Sequence, residues 1–145
     1  MKIQNFKIKL KSTKTLDFID ITELIQEKIK GFNNGIVNIQ TLHTTTAIII
    51  NEAEPLLIED MKKTLERLIS EKNNYQHDNF EIRTVNVCDG ECANGHAHCK
   101  ALFLSPNITL NIVDNQLSLG MWQRIFFLEL DRARDRQISI QIIGE

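Results

Sequence analysis

Hydrophobic residues alternate with polar ones at the start of the chain. Between Lys2 and Leu10, Ile3, Phe6, Ile8 and Leu10 mark the period-two pattern of a strand with one face on a core. A turn-like Lys11-Ser12-Thr13-Lys14 and an apolar return at Phe18 and Ile19 then predict a hairpin. Asp20 and Glu23 carry the spacing of a capping box, and Ile21, Leu24, Ile25 and Ile29 form one apolar stripe. Together they predict a helix that stops at Gly31.

Asn33-Asn34-Gly35 reads as a turn, because these residues tolerate positive φ. Two segments rich in Ile, Val and Thr follow, Gly35 to Thr41 and Thr45 to Asn51, and both are strand-like. Ile48-Ile49-Ile50 implies burial on both faces. Pro55 suits the first turn of a second helix, with Leu56, Met61, Leu65, Leu68 and Ile69 on one side and Lys62, Lys63, Glu66 and Arg67 on the other. Ser70 to Gly95 is a long polar stretch, a length that marks a functional or disordered loop in a compact domain. A short helix is expected over His96 to Leu104, and strands over Asn107 to Val113, Met121 to Leu130 and Gln137 to Ile143. The order β-β-α-β-β-(loop/α)-β-β-β makes the fold α+β, a single domain over 1–145 with largely antiparallel sheets.

Composition narrows the classes of partner. The 145 residues hold 17 Lys and Arg against 19 Asp and Glu, a net charge of −2, with 42% apolar and 25% charged residues. Nucleic-acid binding rests on clustered cations, and this balance offers no such excess. Apolar runs such as Ala47-Ile48-Ile49-Ile50 and Ile125-Phe126-Phe127-Leu128 are four residues long. A membrane span needs about twenty. No signal-like segment opens the sequence, so the expected location is the cytoplasm, away from membranes.

Candidate chemistry gathers around the histidines and cysteines. All three cysteines and two of the four histidines fall between Cys88 and Cys99. Thiolate and imidazole are the donors zinc prefers, so Cys88, Cys92, His96, His98 and Cys99 could form a local knuckle, although their spacing matches no common zinc pattern. The other reading is a loop with inert, reduced thiols. A site joining His98 to distant histidines is the better geometric choice, since it can leave a coordination position open. His43, in Leu42-His43-Thr44-Thr45-Thr46, is either a core histidine bonded to a hydroxyl or a ligand.

Glu52 could act as acid or base beside a metal, and Glu129 could orient a metal-bound histidine. Arg132, Arg134 and Arg136 form either a solvated strand end or a bidentate phosphate holder. Trp122 is expected as a buried anchor after a glycine turn, with the Gln123 amide beside it free to orient a ligand. No phosphate-loop, dinucleotide-binding or nucleophile-elbow signature occurs.

Read together, His43-Thr44-Thr45 with Asn51-Glu52, Asp60, Tyr75-x-His77, Asn94 with Ala97-His98, Leu117-x-Leu119-Gly120-x-Trp122-Gln123, Glu129 and Arg134-x-Arg136 resemble the YjbQ-like family, whose usual label is secondary thiamine-phosphate synthase. The resemblance implies two packed, largely antiparallel sheets, sandwich- or barrel-like, with two to three helices, assembled as a homotrimer. It implies a divalent metal, zinc, held by His43, His77 and His98. Glu52, Gln123 and Glu129 would then be catalytic, and Thr44, Thr45, Asn51, Trp122, Arg134 and Arg136 would bind a small phosphorylated substrate. The label implies joining a pyrimidine diphosphate to a thiazole phosphate with release of pyrophosphate. A metal-dependent hydrolase using Glu52 as base, or a non-catalytic metal- or ligand-binding trimer, are the other readings. Arg132 and Ala133 stand where the family usually has glycine and proline.

Overall fold

The computed structural model describes all residues, 1–145. Its strands are β1 (Lys2–Lys11), β2 (Asp17–Asp20), β3 (Gly35–Thr41), β4 (Thr46–Glu52), β5 (Asn107–Val113), β6 (Gln116–Leu117), β7 (Gln123–Glu129) and β8 (Asp135–Gly144). The helices are α1 (Thr22–Lys28), α2 (Pro55–Leu68) and α3 (Gly95–Ala101), with one 3₁₀ turn at Gln76–Asp78. Five strands form one sheet in the order β1-β8-β3-β5-β6, and three form another in the order β2-β7-β4. Every pairing is antiparallel. The expected α+β class and its two antiparallel sheets are therefore present.

The small sheet is buried on both faces, which is why β4 and β7 carry unbroken apolar runs. Ile48, Ile125 and Phe127 point from it toward the large sheet, where they meet Val37, Ile39, Ile138, Ile140 and Ile142, with α1 contributing Ile25. Ala47 and Leu128 point the other way, into a second cluster with Ala97 of α3, against which Ile49 and Leu65 of α2 pack. Successive residues of one strand thus feed two cores.

Three expectations are corrected. No β1–β2 hairpin forms: β1 pairs with β8 over ten residues, Lys2 opposite Gly144 and Lys11 opposite Asp135, while β2 crosses to the other sheet and pairs with β7. The Asp20–Glu23 capping box is absent. Asp20 Oδ1 accepts from Thr22 N, and Asp20 and Glu23 both bind Arg124 of β7, at 2.8 and 3.0 Å. A long-range cation has outcompeted the local cap. Trp122 is no buried anchor, since the residue is 67% exposed just before β7. Pro55 does open α2, and Glu54 before it accepts from Leu56 N and Leu57 N at 2.9 and 2.7 Å.

The polar stretch is organised by its own side chains. Asp78 Oδ1 accepts from both Asn94 N and Gly95 N at 2.8 Å, tying the 3₁₀ turn to the start of α3. A Cβ on Gly95 would lie 2.5 Å from Tyr75 Cβ, so only glycine permits this approach. Between these anchors, Arg83 donates to the His77, Val85 and Asn86 carbonyls and pairs with Glu91. No helix is long and apolar enough to cross a membrane.

Candidate functional site

Four segments converge on one cleft of about 540 Å³: the β3–β4 connection, the 3₁₀ turn with its following loop, α3, and the β7–β8 connection. His43, His77 and His98 all line it, together with Thr44, Thr45, Arg134 and Arg136. These seven sequence-designated residues come together across more than ninety positions of chain, as the 94-residue separation of His43 and Gln137 shows.

Beneath the cleft lies a buried ion pair. Arg136 Nε and Nη2 donate to the two oxygens of Glu129, both at 2.6 Å, and Nη2 also donates to Thr45 Oγ1 at 2.9 Å. Glu129 further accepts from Ser12 Oγ at 2.8 Å and Asp131 N at 3.0 Å. With both partners nearly sealed from water, at 4% and 0% exposure, the bidentate geometry fixes the guanidinium. Glu129 therefore orients an arginine, not the histidine that the sequence reading gave it. Arg136 Nη1 takes no protein partner.

Asp131 is the second hub. It receives Arg132 Nη1, Arg134 Nη1 and Asn94 Nδ2 at 3.3, 3.1 and 3.3 Å. Two guanidinium groups share this one carboxylate, which leaves their lobe of the cleft net positive. Asn94 is 6% exposed and lines the cleft, and its Oδ1 has no hydrogen-bond partner. The clamp on Nδ2 keeps that acceptor turned away from Asp131. A ligand donor would satisfy it.

Two of the cleft histidines, His98 and His43, are held below the ordinary imidazole range. Burial lowers the His98 pKa most, with neighbouring His77 and Arg83 acting in the same direction. Burial also lowers that of His43, reinforced by Arg136. The His77 and His98 rings meet edge to face, 4.5 Å between centroids, and His77 Nε2 is buried without a partner. His43 differs: its Nε2 accepts from Gln137 N at 2.9 Å.

That bond bears on the implied metal. An imidazole whose Nε2 accepts a backbone hydrogen bond carries its proton on Nδ1 and has no lone pair left for an ion. No three His, Cys, Asp or Glu side chains stand where they could hold one metal together. The His77–His98 pair, with its orphaned nitrogen, suits a metal; the three-histidine set does not as built. The local cysteine knuckle is likewise not assembled. Cys88 lines the cleft, but all three thiols are free and exposed. Cys92 and Cys99 lie outside the cleft lining, as does His96, which is buried against Tyr75.

The remaining designated residues lie elsewhere. Asn51 and Glu52 pair with Arg124 and Gln123 at the far end of the small sheet, beside Trp122, whereas Thr46 pairs with Glu129 at the cleft end. Six residue steps along β4 separate the two ends, roughly 20 Å. Glu52, Gln123, Asn51 and Trp122 therefore do not share the cleft within one chain. Gln123 Oε1 instead accepts from Gly120 N at 2.8 Å, closing its own turn. The sequence reading missed Arg83, Asp78 and Ser12. Asp78, next to His77, was the one with a local signal.

The profile of the family described as UPF0047 protein YjbQ-like matches residues 6–145. A UPF0047 protein from Archaeoglobus fulgidus is 34% identical over 137 residues, covering 94% of this chain and 99% of that one. Another from Methanothermobacter thermautotrophicus is 31% identical over 147 residues, with 100% and 95% covered. Among solved structures, a protein of unknown function from Sulfolobus solfataricus superposes with a TM-score of 0.86 at 29% identity, over 99% of both chains. A hypothetical protein from Aeropyrum pernix gives 0.83 at 30% identity over 100% of both. With the profile spanning nearly the whole sequence and relatives matching end to end, the chain belongs to the UPF0047 family of YjbQ-like proteins.

Proposed function

We propose that the cleft binds a small phosphorylated molecule and that the protein is an enzyme acting on it, thiamine-phosphate synthase-type transfer being the specific reaction to test. One observation carries this reading: Arg132, Arg134 and Arg136 retain unpaired N–H groups beside two neutral imidazoles and the unpartnered Asn94 Oδ1. Guanidinium forks match phosphate oxygens bidentately. In a transfer that breaks a carbon–oxygen bond to pyrophosphate, the same donors would stabilise the charge growing on the leaving group. Asn94 Oδ1 would accept from an N–H or O–H of the substrate.

A neutral imidazole accepts protons, so His98 is suited to take one from an attacking nucleophile. A hydrolytic version of the reaction would then use His98 rather than Glu52 as its base. In a separate, metal-assisted version, a divalent ion such as zinc held by His77 and His98 would neutralise phosphate oxygens, and His98 would then no longer serve as the base. Asn51, Glu52, Trp122 and Gln123 would share a cleft only if a neighbouring subunit brought its own cleft to them, as the homotrimer that the resemblance implies would allow. Sedimentation velocity of the purified protein reads that assembly directly.

Calorimetric titration with phosphate and pyrophosphate tests the binding. Micromolar to low-millimolar affinity that falls at least tenfold in Arg134→Gln supports the reading. Absence of binding by the wild type removes it. Incubation with the two phosphorylated precursors then separates an enzyme from a binding module.

A further inference from the structure

The phosphate cleft does not end at Arg136. A second concavity of about 480 Å³ is lined by Lys9, Lys11, Asp135 and Gln137, and it shares His43 and Arg136 with the first. The register explains its composition. Lys9 stands opposite Gln137 and Lys11 opposite Asp135, and period-two alternation puts these four on one face of the large sheet, with Arg136 on the other. His43 forms the divide. Its ring is pinned there by the Gln137 N–H at 2.9 Å.

Lys9 and Lys11 take part in none of the chain's salt bridges. β1 is the edge of its sheet, and edge strands commonly carry lysine to prevent pairing with other chains. Lys2 and Lys7 meet that need on the same strand. Guarding an edge explains exposed cations but not a basin that shares His43 and Arg136 with the site. The two lysines lie about 7 Å apart along the strand, beside a single carboxylate, Asp135.

We propose that this basin is a second anion subsite, so that the ligand carries two separated phosphoryl groups: one at Arg132 and Arg134, the other at Lys9 and Lys11, with His43 and Arg136 between them. This rests on the phosphate-binding reading above and extends it from one anionic group to two.

The probes are inorganic phosphate and tripolyphosphate, titrated at one fixed ionic strength. Wild type is expected to bind tripolyphosphate at least tenfold more tightly than phosphate. The double variant Lys9→Ala, Lys11→Ala should lose that preference while its phosphate affinity changes less than twofold. The pair Lys2→Ala, Lys7→Ala removes the same charge from the same strand and should keep the preference. Arg134→Gln should weaken both probes. Loss of preference in both lysine pairs reduces the effect to net charge and overturns the subsite, as does a preference that survives without Lys9 and Lys11. Phosphate binding sensitive to Arg134, with no gain for tripolyphosphate, overturns the second subsite alone. If neither probe binds, the phosphate reading falls and the subsite falls with it.

Discussion

Replacing Arg136 with methionine keeps most of the side chain's length and removes its charge, leaving Glu129 sealed at 0% exposure. Two charge-assisted hydrogen bonds of 2.6 Å disappear, and the carboxylate retains only Ser12 Oγ and Asp131 N. Breaking a buried pair from one side costs about 3–5 kcal/mol, because the surviving charge stays desolvated. Against a total stability of roughly 5–15 kcal/mol this is a large fraction. For a domain of this size it corresponds to a fall in Tm of about 10–15 °C.

Urea denaturation of Arg136→Met, of Glu129→Leu and of the double variant separates pairing from mere truncation. If Glu129 is destabilised by being left alone, removing it as well should recover part of the loss. The double variant should then be more stable than the sum of the single effects by about 2–3 kcal/mol. Additive effects, or a loss below about 1 kcal/mol in Arg136→Met, would refute the argument that this pair holds the cleft floor.

Three further outcomes are expected. Gly95→Ala drives a Cβ to 2.5 Å from Tyr75 Cβ and should cost about 1–3 kcal/mol; because the 3₁₀ turn must then retreat from α3, Tyr75 fluorescence should change, and an unaltered spectrum with unaltered stability counts against it. A three-histidine zinc site requires His43 Nε2 to release the Gln137 N–H. Stoichiometric zinc should therefore shift the Gln137 amide resonance and speed its hydrogen exchange, and tight zinc binding with that amide unmoved shows that His43 stays out. The folded-state pKa values of His43 and His98 are both lowered. Unfolded imidazoles bind protons from about pH 6.5 downward, so the unfolded state gains protons first and stability should fall as pH drops below that value toward the folded pKa values. His43→Gln with His98→Gln should flatten the slope between pH 7.5 and 5.5, and an equal slope in the variant would contradict it.

Much of this architecture could be read along the chain because it rests on local periodicity. The period-two residues of β1 and the double-sided runs of β4 and β7 report their surroundings directly. The errors came where a distant partner decides. Nothing near Lys11 shows that β1 awaits a strand more than a hundred residues later, and nothing near Asp20 announces Arg124. For the cleft, residue type marked His43, His77, His98 and the arginines correctly as neighbours. Their roles depend on three-dimensional hydrogen bonding. Glu129 went to an arginine and His43 to a backbone amide, outcomes that no spacing rule encodes. Asn51, Glu52, Trp122 and Gln123 were grouped with the cleft although the end of β4 and the start of β7 hold them at the far end of the small sheet.

The place of β8 in the large sheet has a consequence for how the molecule comes into being. This strand lies between β1 and β3, so both wait for a partner drawn from residues 135–144. Pairings of such long sequence separation give a high contact order, and folding in milliseconds to seconds follows from topology of this kind. During synthesis from the N-terminus, β1 and β3 emerge first, with their apolar faces uncovered, a state open to chaperones and to aggregation. Arg136 and the Gln137 amide travel on that same late strand. The cleft therefore cannot be complete before the sheet is, and a nascent chain has no such site to offer until β8 docks.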